Sequence, residues 1–312
     1  MRAHKMNGGK VIPACRQAGV RVLYRPHEIY MCPVCLSSQL NPRHHGYYRC
    51  TRCGSYYAVT LPDAKIRQKE TEESAKSVIT SQRQELIARD YTDRLAAITK
   101  WTTKLRHMLD FGCGSGLFLK FLIKKGYDAR GYDKSTTLTK YLQLRKLPMY
   151  ADLSAIPARY FDVVTTFDVI EHTIDPHAFI RDVKSKLKKN GILMITTPNA
   201  QGVTARILGG RWWVFGPTAH FVLFTPESLK QLLIHEGCKV LEVTTDTITP
   251  WFFPTDAPVQ RALNKIVYLA TKPFHAVLFR YSLGDNMQVI AESYDVAHLK
   301  TGVNCRVLNP FG

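Results

Sequence analysis

Nowhere in the 312 residues does an uninterrupted apolar run approach the ~18 that a membrane-crossing helix needs, because Lys, Arg, Pro or His breaks each stretch within a few turns. Acidic residues are scarce: 25 Asp and Glu stand against 43 Lys and Arg, a formal charge of +18. That imbalance favours acidic partners, whether nucleic acid, phosphorylated metabolites or anionic lipid headgroups, and does not choose among them. Cysteine, at 8 residues, is too sparse for a disulfide-built secreted scaffold of this length. Residues 1–30 lack serine, the apolar core and the small-residue cleavage site of a secretory signal, and their one acid is Glu28. We read this basic stretch as a poorly ordered leader; an organelle transit peptide or a translation start ahead of the fold would look the same. Internal repeats and low-complexity tracts are missing too. What the chain does have is 45% hydrophobic and 11% aromatic residues, ample for a packed core in about two domains.

Four of the cysteines form two close pairs, Cys32 and Cys35 in Met-Cys-Pro-Val-Cys and Cys50 and Cys53 in Arg-Cys-Thr-Arg-Cys-Gly. The pattern C-x2-C-x14-C-x2-C is one residue short of the usual zinc window. Two intervening residues let both sulfurs of a tight knuckle turn toward one ion, and Gly54 can take the positive φ such a turn needs. Four thiolates would close a tetrahedral shell with no open position, so the expected zinc is structural. Unligated buried thiols or a redox pair are the alternatives. The spacing resembles a zinc ribbon, which implies short hairpins around the ion over residues 31–60. Tyr47, Tyr48, Tyr56 and Tyr57 beside Arg43, Arg49 and Arg52 could stack on and neutralise a nucleic-acid strand, or could pack the ribbon against its neighbour. Cys15, Cys113, Cys238 and Cys305 stand alone as ordinary thiols. Thiolate ligands point to a reducing cytoplasm. Residues 61–104 then turn polar and helix-favouring, with Leu86, Tyr91, Leu95 and Ile98 near helical spacing, and read as a helical linker.

His107 to Phe111 reads as a strand, Gly112-Cys113-Gly114-Ser115-Gly116 as a turn, and Leu117 to Lys125 as a helix closed by Gly126. Without β-carbons such a loop can approach a ligand closely, and the amides at the helix start suit an anionic or carboxylate group. A second strand, Asp128 to Tyr132, ends in Asp133, 21 positions beyond Gly112, where a carboxylate can accept both ribose hydroxyls. The run Leu109-Asp110-Phe111-Gly112-Cys113-Gly114-Ser115-Gly116 resembles the first motif of class I S-adenosylmethionine-dependent methyltransferases. It departs from the dinucleotide fingerprint, because the third glycine follows the second too closely. The resemblance implies that Asp110 orders the loop and approaches the methionine amino group, that Gly112, Cys113, Gly114, Gly116 and Asp133 cradle the cofactor, and that Asp152 lies near the adenine amino group.

Strands are expected ahead of Tyr150, at Phe161–Phe167, at Gly191–Asn199, at Lys239–Thr245 and, antiparallel, at Asn286–Glu292, with helices over Pro176–Lys189 and Pro226–Glu236. The pattern Phe-Asp-Val-Val, Asp-Val-Ile-Glu-His, Asp-Pro is similar to ubiquinone-type and related small-molecule O-methyltransferases. After the fourth strand come Asp168, Glu171 and His172, whose spacing predicts one face of a helical turn. His172 is the preferred general base, oriented by Glu171 or Asp168. Adding His220 would make a cluster of two carboxylates and two imidazoles able to hold a second divalent metal. That set resembles the Glu-x-x-Glu-His plus distant His of small-RNA 2′-O-methyltransferases, with Asp168 in place of the first Glu; a metal-free base and a purely structural role stay open. No Asp/Asn-Pro-Pro-Tyr follows strand four, which disfavours base N-methylation. Arg206–Phe215 occupies the usual place of a substrate lid, and Trp212 and Trp213 could line an acceptor pocket or belong to the core.

The expected fold is α/β, a Rossmann-like seven-stranded methyltransferase sheet with helices on both faces over 105–295, preceded by the ribbon. It carries an insertion at 249–284 and a tail at 296–312. In the insertion, Ile266–Tyr281 mixes apolar residues with Lys272, His275 and Arg280 around Pro273; it could touch a membrane surface, cover the sheet edge or form a dimer contact. The implied reaction moves a methyl group from S-adenosylmethionine to an oxygen of a small-molecule, lipid-linked or glycan acceptor. An RNA- or ribosome-directed methyltransferase and an inactive zinc-ribbon binding module are the alternatives.

Overall fold

The computed structural model describes residues 24–25, 28–29, 31–44, 46–58, 68–69, 72–73, 88–215, 220–246, 266, 269–270 and 272–294. Most of the expected leader and insertion, and all of the tail, lie outside these residues. Of the leader, only β1 (Tyr24–Arg25) and β2 (Glu28–Ile29) are described, paired antiparallel.

Buried parallel strands need apolar side chains on both faces, and the middle of the chain supplies them. β6 (His107–Phe111), β7 (Asp128–Tyr132), β8 (Phe161–Phe167) and β9 (Leu187–Pro198) form a parallel set in which β6 sits between β7 and β8, and β8 between β6 and β9. β12 (Asn286–Ser293) inserts antiparallel between β9 and β11 (Cys238–Asp246), as the sequence predicts. Among the described residues this sheet has six strands. The strand expected ahead of Tyr150 is reduced to one parallel bridge, Gly131 to Met149, because Pro148 offers no N–H to a ladder.

Helices pack where local chemistry starts them. α1 (Ala88–Thr99) buries Leu95 and Ile98 against Met108 and Leu119, and α2 (Leu117–Lys124) buries Phe118, Leu119 and Leu122. α3 (Thr136–Leu144) is capped by Ser135, which accepts from the Leu138 N–H. α4 (Pro176–Lys186) has Asp175 as cap and Pro176 in its first turn. It ends before the predicted Lys189 because Leu187 is already extended and pairs with Phe161. α5 (Val203–Leu208) follows β9, and α6 (Pro226–His235) opens on a capping box between Thr225 and Ser228. α7 (His275–Arg280) lies against β11, where its Phe279 carbonyl accepts from Thr245 Oγ1 at 3.5 Å. None of the described helices is long and apolar enough to cross a membrane.

The cysteine-bearing segment is built into this frame. β3 (Leu40–His44), β4 (Tyr47–Cys50) and β5 (Tyr56–Ala58) form an antiparallel sheet whose fourth strand is β10 (Val222–Leu223), taken from just before α6. Tyr47 and Tyr57 are buried, and Tyr57 shares a core with Cys32, Cys50, Val222 and Phe224. These two rings pack the ribbon against its neighbour and are not available to stack on a nucleic-acid strand. A polar tether completes the junction. His177 on α4 directs one ring nitrogen at the Val34 carbonyl (2.9 Å) and the other at the Glu236 carboxylate (2.6 Å), which also accepts from Arg181 (3.2 Å). Burial pushes the Glu236 carboxyl up, but its hydrogen bonds with His177 and His235 outweigh that and hold it down at about 2.

Because the folded carboxyl is held below its unfolded value of ~4.3, the ion network contributes fully above that pH and is lost as pH falls toward the folded value. We expect Glu236→Gln to cost about 1–3 kcal/mol at pH 7 in urea unfolding, with the difference from the parent shrinking steadily below pH ~4. A pH-independent difference would show that the charge on Glu236 plays no part.

Candidate active site

The loop after β6 needs three left-handed residues, and glycine supplies each: Gly112, Gly114 and Gly116 have φ of 80°, 53° and 71°. The Gly112 and Cys113 N–H groups donate to the Tyr132 carbonyl at 2.7 and 3.0 Å, so the loop is tied to the end of β7. Gly112 also needs its missing side chain, since a Cβ there would lie 2.4 Å from Val169 Cγ2. At Gly114 a Cβ would meet nothing within 4 Å, which leaves that side of the loop open to a ligand. Asp133 closes the loop from β7, its Oδ2 accepting from Gly114 N–H (3.0 Å) and its Oδ1 from Ser135 N–H (2.8 Å). Asp110 is buried at the strand end and accepts from Thr165 Oγ1 at 3.1 Å. Burial, with the nearby Asp133 charge, pushes its carboxyl up to about 7. Cys113 is buried with its Sγ 3.7 Å from Met149 Sδ. Asp152 is exposed, and its Oδ1 accepts from Ser154 Oγ (2.5 Å) and Ala155 N–H (2.9 Å).

Across Val169 lies the second half of the site. The parallel register sets Asp110 beside Thr165, so β6 and β8 end together. After β8 the chain turns sharply: Asp168 has φ 55°, and residues Ile170–His172 make a 3-10 turn rather than the predicted α-helical one. Asp168 is thereby turned toward β9, accepting from Thr196 Oγ1 at 3.3 Å. It is not among the groups whose ligand atoms converge; those are Glu171, His172 and His220, within 4.8 Å of one another. The expected four-residue cluster is thus a three-residue one.

Glu171 is fully buried; Thr197 Oγ1 donates to its Oε2 at 2.9 Å while its Oε1 has no hydrogen-bond partner. Burial, then the Asp168 charge, pushes its carboxyl well above the usual range. His220 Nδ1 faces the Val214 carbonyl at 2.8 Å and must donate to it, which leaves Nε2 with a lone pair. Burial holds the His220 imidazole down at about 4, so it is neutral at pH 7. The His172 and His220 rings lie 4.9 Å apart, and Trp213 lies 5.8 Å from His220. The tryptophans divide: Trp212 is 2% exposed and belongs to the core, whereas Trp213 is 59% exposed beside the histidines.

The two cysteine knuckles are near copies. In each, the first Cys accepts a turn bond at its carbonyl, from Leu36 N–H (2.9 Å) or Gly54 N–H (3.0 Å), and donates its own N–H to Ser37 or Ser55. Leu36 is left-handed at φ 58°, where the second knuckle uses glycine. Cys32 and Cys53 sulfurs are 3.6 Å apart, and those of Cys35 and Cys50 3.5 Å. Tetrahedral Zn–S bonds of ~2.3 Å imply sulfurs ~3.8 Å apart, so the set has the right size for that ion.

Two contacts carry no sequence signal. Tyr47 in β4 donates its hydroxyl to the His220 carbonyl at 2.7 Å, and Glu72 accepts from Ser135 Oγ (3.0 Å) and Thr136 N–H (3.1 Å) at the start of α3, beside Asp133. Both join residues far apart in the chain, with no spacing to betray them.

The strand order and the glycine-loop site are those of a class I methyltransferase sheet. A family model for a methyltransferase domain matches residues 79–243, just over half of the chain, and the protein belongs to that family. It is 29% identical over 189 residues to the ubiquinone biosynthesis O-methyltransferase of Rhodopseudomonas palustris, covering 53% of this chain and 71% of the relative. With the enzyme of the same name from Xanthomonas axonopodis the figures are 28% over 182 residues, 53% and 76%. Among solved structures, the Haloferax volcanii complex between a methyltransferase activator and a methyltransferase matches with a TM-score of 0.51 at 15% identity, covering 73% of this chain and 97% of the matched one.

Gly112→Ala must meet both a left-handed backbone and Val169, and should cost about 2–4 kcal/mol in urea unfolding. Gly114→Ala meets only the backbone term, about 1–2 kcal/mol. Equal losses would show that Val169 yields freely.

Proposed function

We propose that the chain is an S-adenosylmethionine-dependent O-methyltransferase that acts on a hydroxyl of a small-molecule, lipid-linked or glycan acceptor. The observation that carries this reading is the contact of Gly112 with Val169, which sets the glycine loop against the turn bearing Glu171 and His172 at one end of the sheet. When bound, S-adenosylmethionine supplies a methyl group on a sulfonium that is already a good leaving group, so the protein's task is positioning and proton removal. Gly112, Cys113, Gly114 and Gly116 would hold the donor with their backbone. Asp133 keeps lone pairs for ribose hydroxyls, since each oxygen accepts only one amide. Asp110 would face the donor's amino group, whose charge favours the ionised carboxylate, and Asp152 the adenine amino group.

On the acceptor side, His172 takes the hydroxyl proton, and Glu171 and His220 shape the pocket around it. His220, neutral with Nε2 free, is a poorer base than a good ligand. Glu171 with its orphaned Oε1, His172 and His220 form a donor set that fits a divalent cation such as magnesium, manganese or zinc. When bound, such an ion supplies Lewis acidity that lowers the pKa of a neighbouring hydroxyl. The names of the similar O-methyltransferases support oxygen as the acceptor atom. Phe274, Val277 and Tyr281, exposed on and beside α7 next to Lys272 and Arg280, suit contact with an anionic bilayer and hence a lipid-linked acceptor. Cys32, Cys35, Cys50 and Cys53 would hold a structural zinc, and their thiols suit a cytoplasmic setting.

Calorimetric titration with S-adenosylmethionine and its demethylated product tests the reading. Binding by the parent chain is expected, weakened by about 1–3 kcal/mol in Asp133→Ala. An unaltered affinity would remove Asp133 from the site, and no binding by the folded parent would overturn the function. For the metals, elemental analysis should find about one tightly held zinc per chain, and chelation should unfold the ribbon. A weaker second equivalent, lost in His220→Ala, is expected from the Glu171 cluster. A metal-free chain that melts like the native one would count against the zinc.

A further inference from the structure

Beside the ribbon lies a groove of about 570 Å³ that the reading above leaves unused, walled by Arg49 and Tyr56 of the ribbon strands, Gln201 and Arg206 of the β9–α5 segment, and Thr225 and Glu227 at the start of α6. Two guanidinium groups from distant parts of the chain line it, and both are pre-set. Arg49 lies over the Tyr56 ring, 5.8 Å from its centroid. Arg206 donates its Nε to the Gln201 carbonyl at 2.9 Å, which fixes the plane of the guanidinium and leaves its terminal amino groups for another acceptor. Neither arginine pairs with a carboxylate among the described residues. Glu227, the acid in the groove, is occupied on the helix side by the Gln231 amide at 3.0 Å. The N-terminal end of α6 adds its partial positive charge to the same wall.

We propose that this groove binds the phosphate or diphosphate group of the acceptor, which makes the acceptor an organic phosphate. Planar guanidinium forks match phosphate oxygens two at a time, and two forks lining one groove favour a multi-oxygen phosphate over a single flat carboxylate. A layer of packed rings links the groove to His220. Tyr56 packs edge-on against Phe215 at 5.2 Å, Phe215 packs against Tyr47 at 5.5 Å, and the Tyr47 hydroxyl holds the His220 carbonyl. Tyr47 and Phe215 are buried, so an acceptor gripped by its phosphate in the groove would reach His172 and His220 around the outside of this layer. The inference rests on the proposed acceptor side of the site. The phosphate could come from a lipid headgroup or a soluble metabolite.

Titration calorimetry of the full chain with inorganic pyrophosphate tests it, alongside S-adenosylmethionine as the separate check on the donor site. The parent should bind pyrophosphate, and Arg49→Gln and Arg206→Gln should each weaken that binding about tenfold, the effect of losing a charged hydrogen bond, with donor binding untouched. Glu227→Gln should tighten it, a gain that a misfolded variant cannot mimic. Sedimentation with phosphatidylcholine vesicles carrying phosphatidic acid assigns the source: arginine-dependent binding to vesicles marks a lipid phosphate, and binding to pyrophosphate alone a soluble one. Absence of pyrophosphate binding at millimolar concentration overturns the proposal, as does binding that survives in the double arginine variant. So does arginine-dependent capture of an RNA oligonucleotide without pyrophosphate binding.

Discussion

Two segments with different chemistry must meet at the carboxyl ends of β6 and β8, and the missing side chain of Gly112 is what lets them meet. Val169 fills the space where a Cβ would stand. On one side of that contact Asp133 holds the loop by the Gly114 amide; on the other, Glu171 and His172 lie two and three residues further along the chain. The parallel register carries the arrangement, because Asp110 and Thr165 are neighbours across it and fix where both loops begin. Left-handed Asp168 then swings the chain out of β8, so that Glu171 points into the protein and bonds to Thr197 on β9. Each step uses rigid elements, as a site needs if its groups are to stay aligned.

The ribbon contributes to this end of the molecule more directly than a separate small domain could. β10 completes its sheet, and the residues just before β10 are His220 and Phe221. Phe221 N–H donates to the Glu171 carbonyl at 2.7 Å while Tyr47 holds His220 from the ribbon side. His220 is therefore suspended between two structures, with its ring anchored on Val214. A metal that orders the knuckles would in this way also order a residue of the acceptor side.

Much of this frame is legible in the sequence alone. Buried parallel strands read as nearly continuous apolar runs, which is why β6 and β8 fall where the sequence puts them; the glycine loop and paired cysteines carry spacings that physics restricts tightly. Glu171, His172 and His220 converge as the sequence suggests, whereas Asp168 bonds to Thr196 and acts on Glu171 only through its charge. Helical spacing puts Asp168, Glu171 and His172 on one face, and the positive φ of Asp168 turns its carboxylate toward β9 instead. Contacts such as Tyr47 with His220 and Glu72 with α3 left no trace, since they depend on tertiary packing between segments with no shared pattern. The tyrosines show the same limit: alternation along a strand distinguishes its faces without saying what covers each, and only the fold turns Tyr47 and Tyr57 inward.

Charge is distributed against the grain of the composition. In a chain of formal charge +18, the two halves of the site gather Asp110, Asp133, Asp168 and Glu171. Burial and mutual repulsion raise the Asp110 and Glu171 carboxyls, so this end of the sheet is electrostatically incomplete until positive charge arrives. Protonation of either carboxyl, or a positively charged group beside it, is what relieves it. Where Arg49 and Arg206 wall the groove, the chain presents the opposite polarity to an approaching molecule.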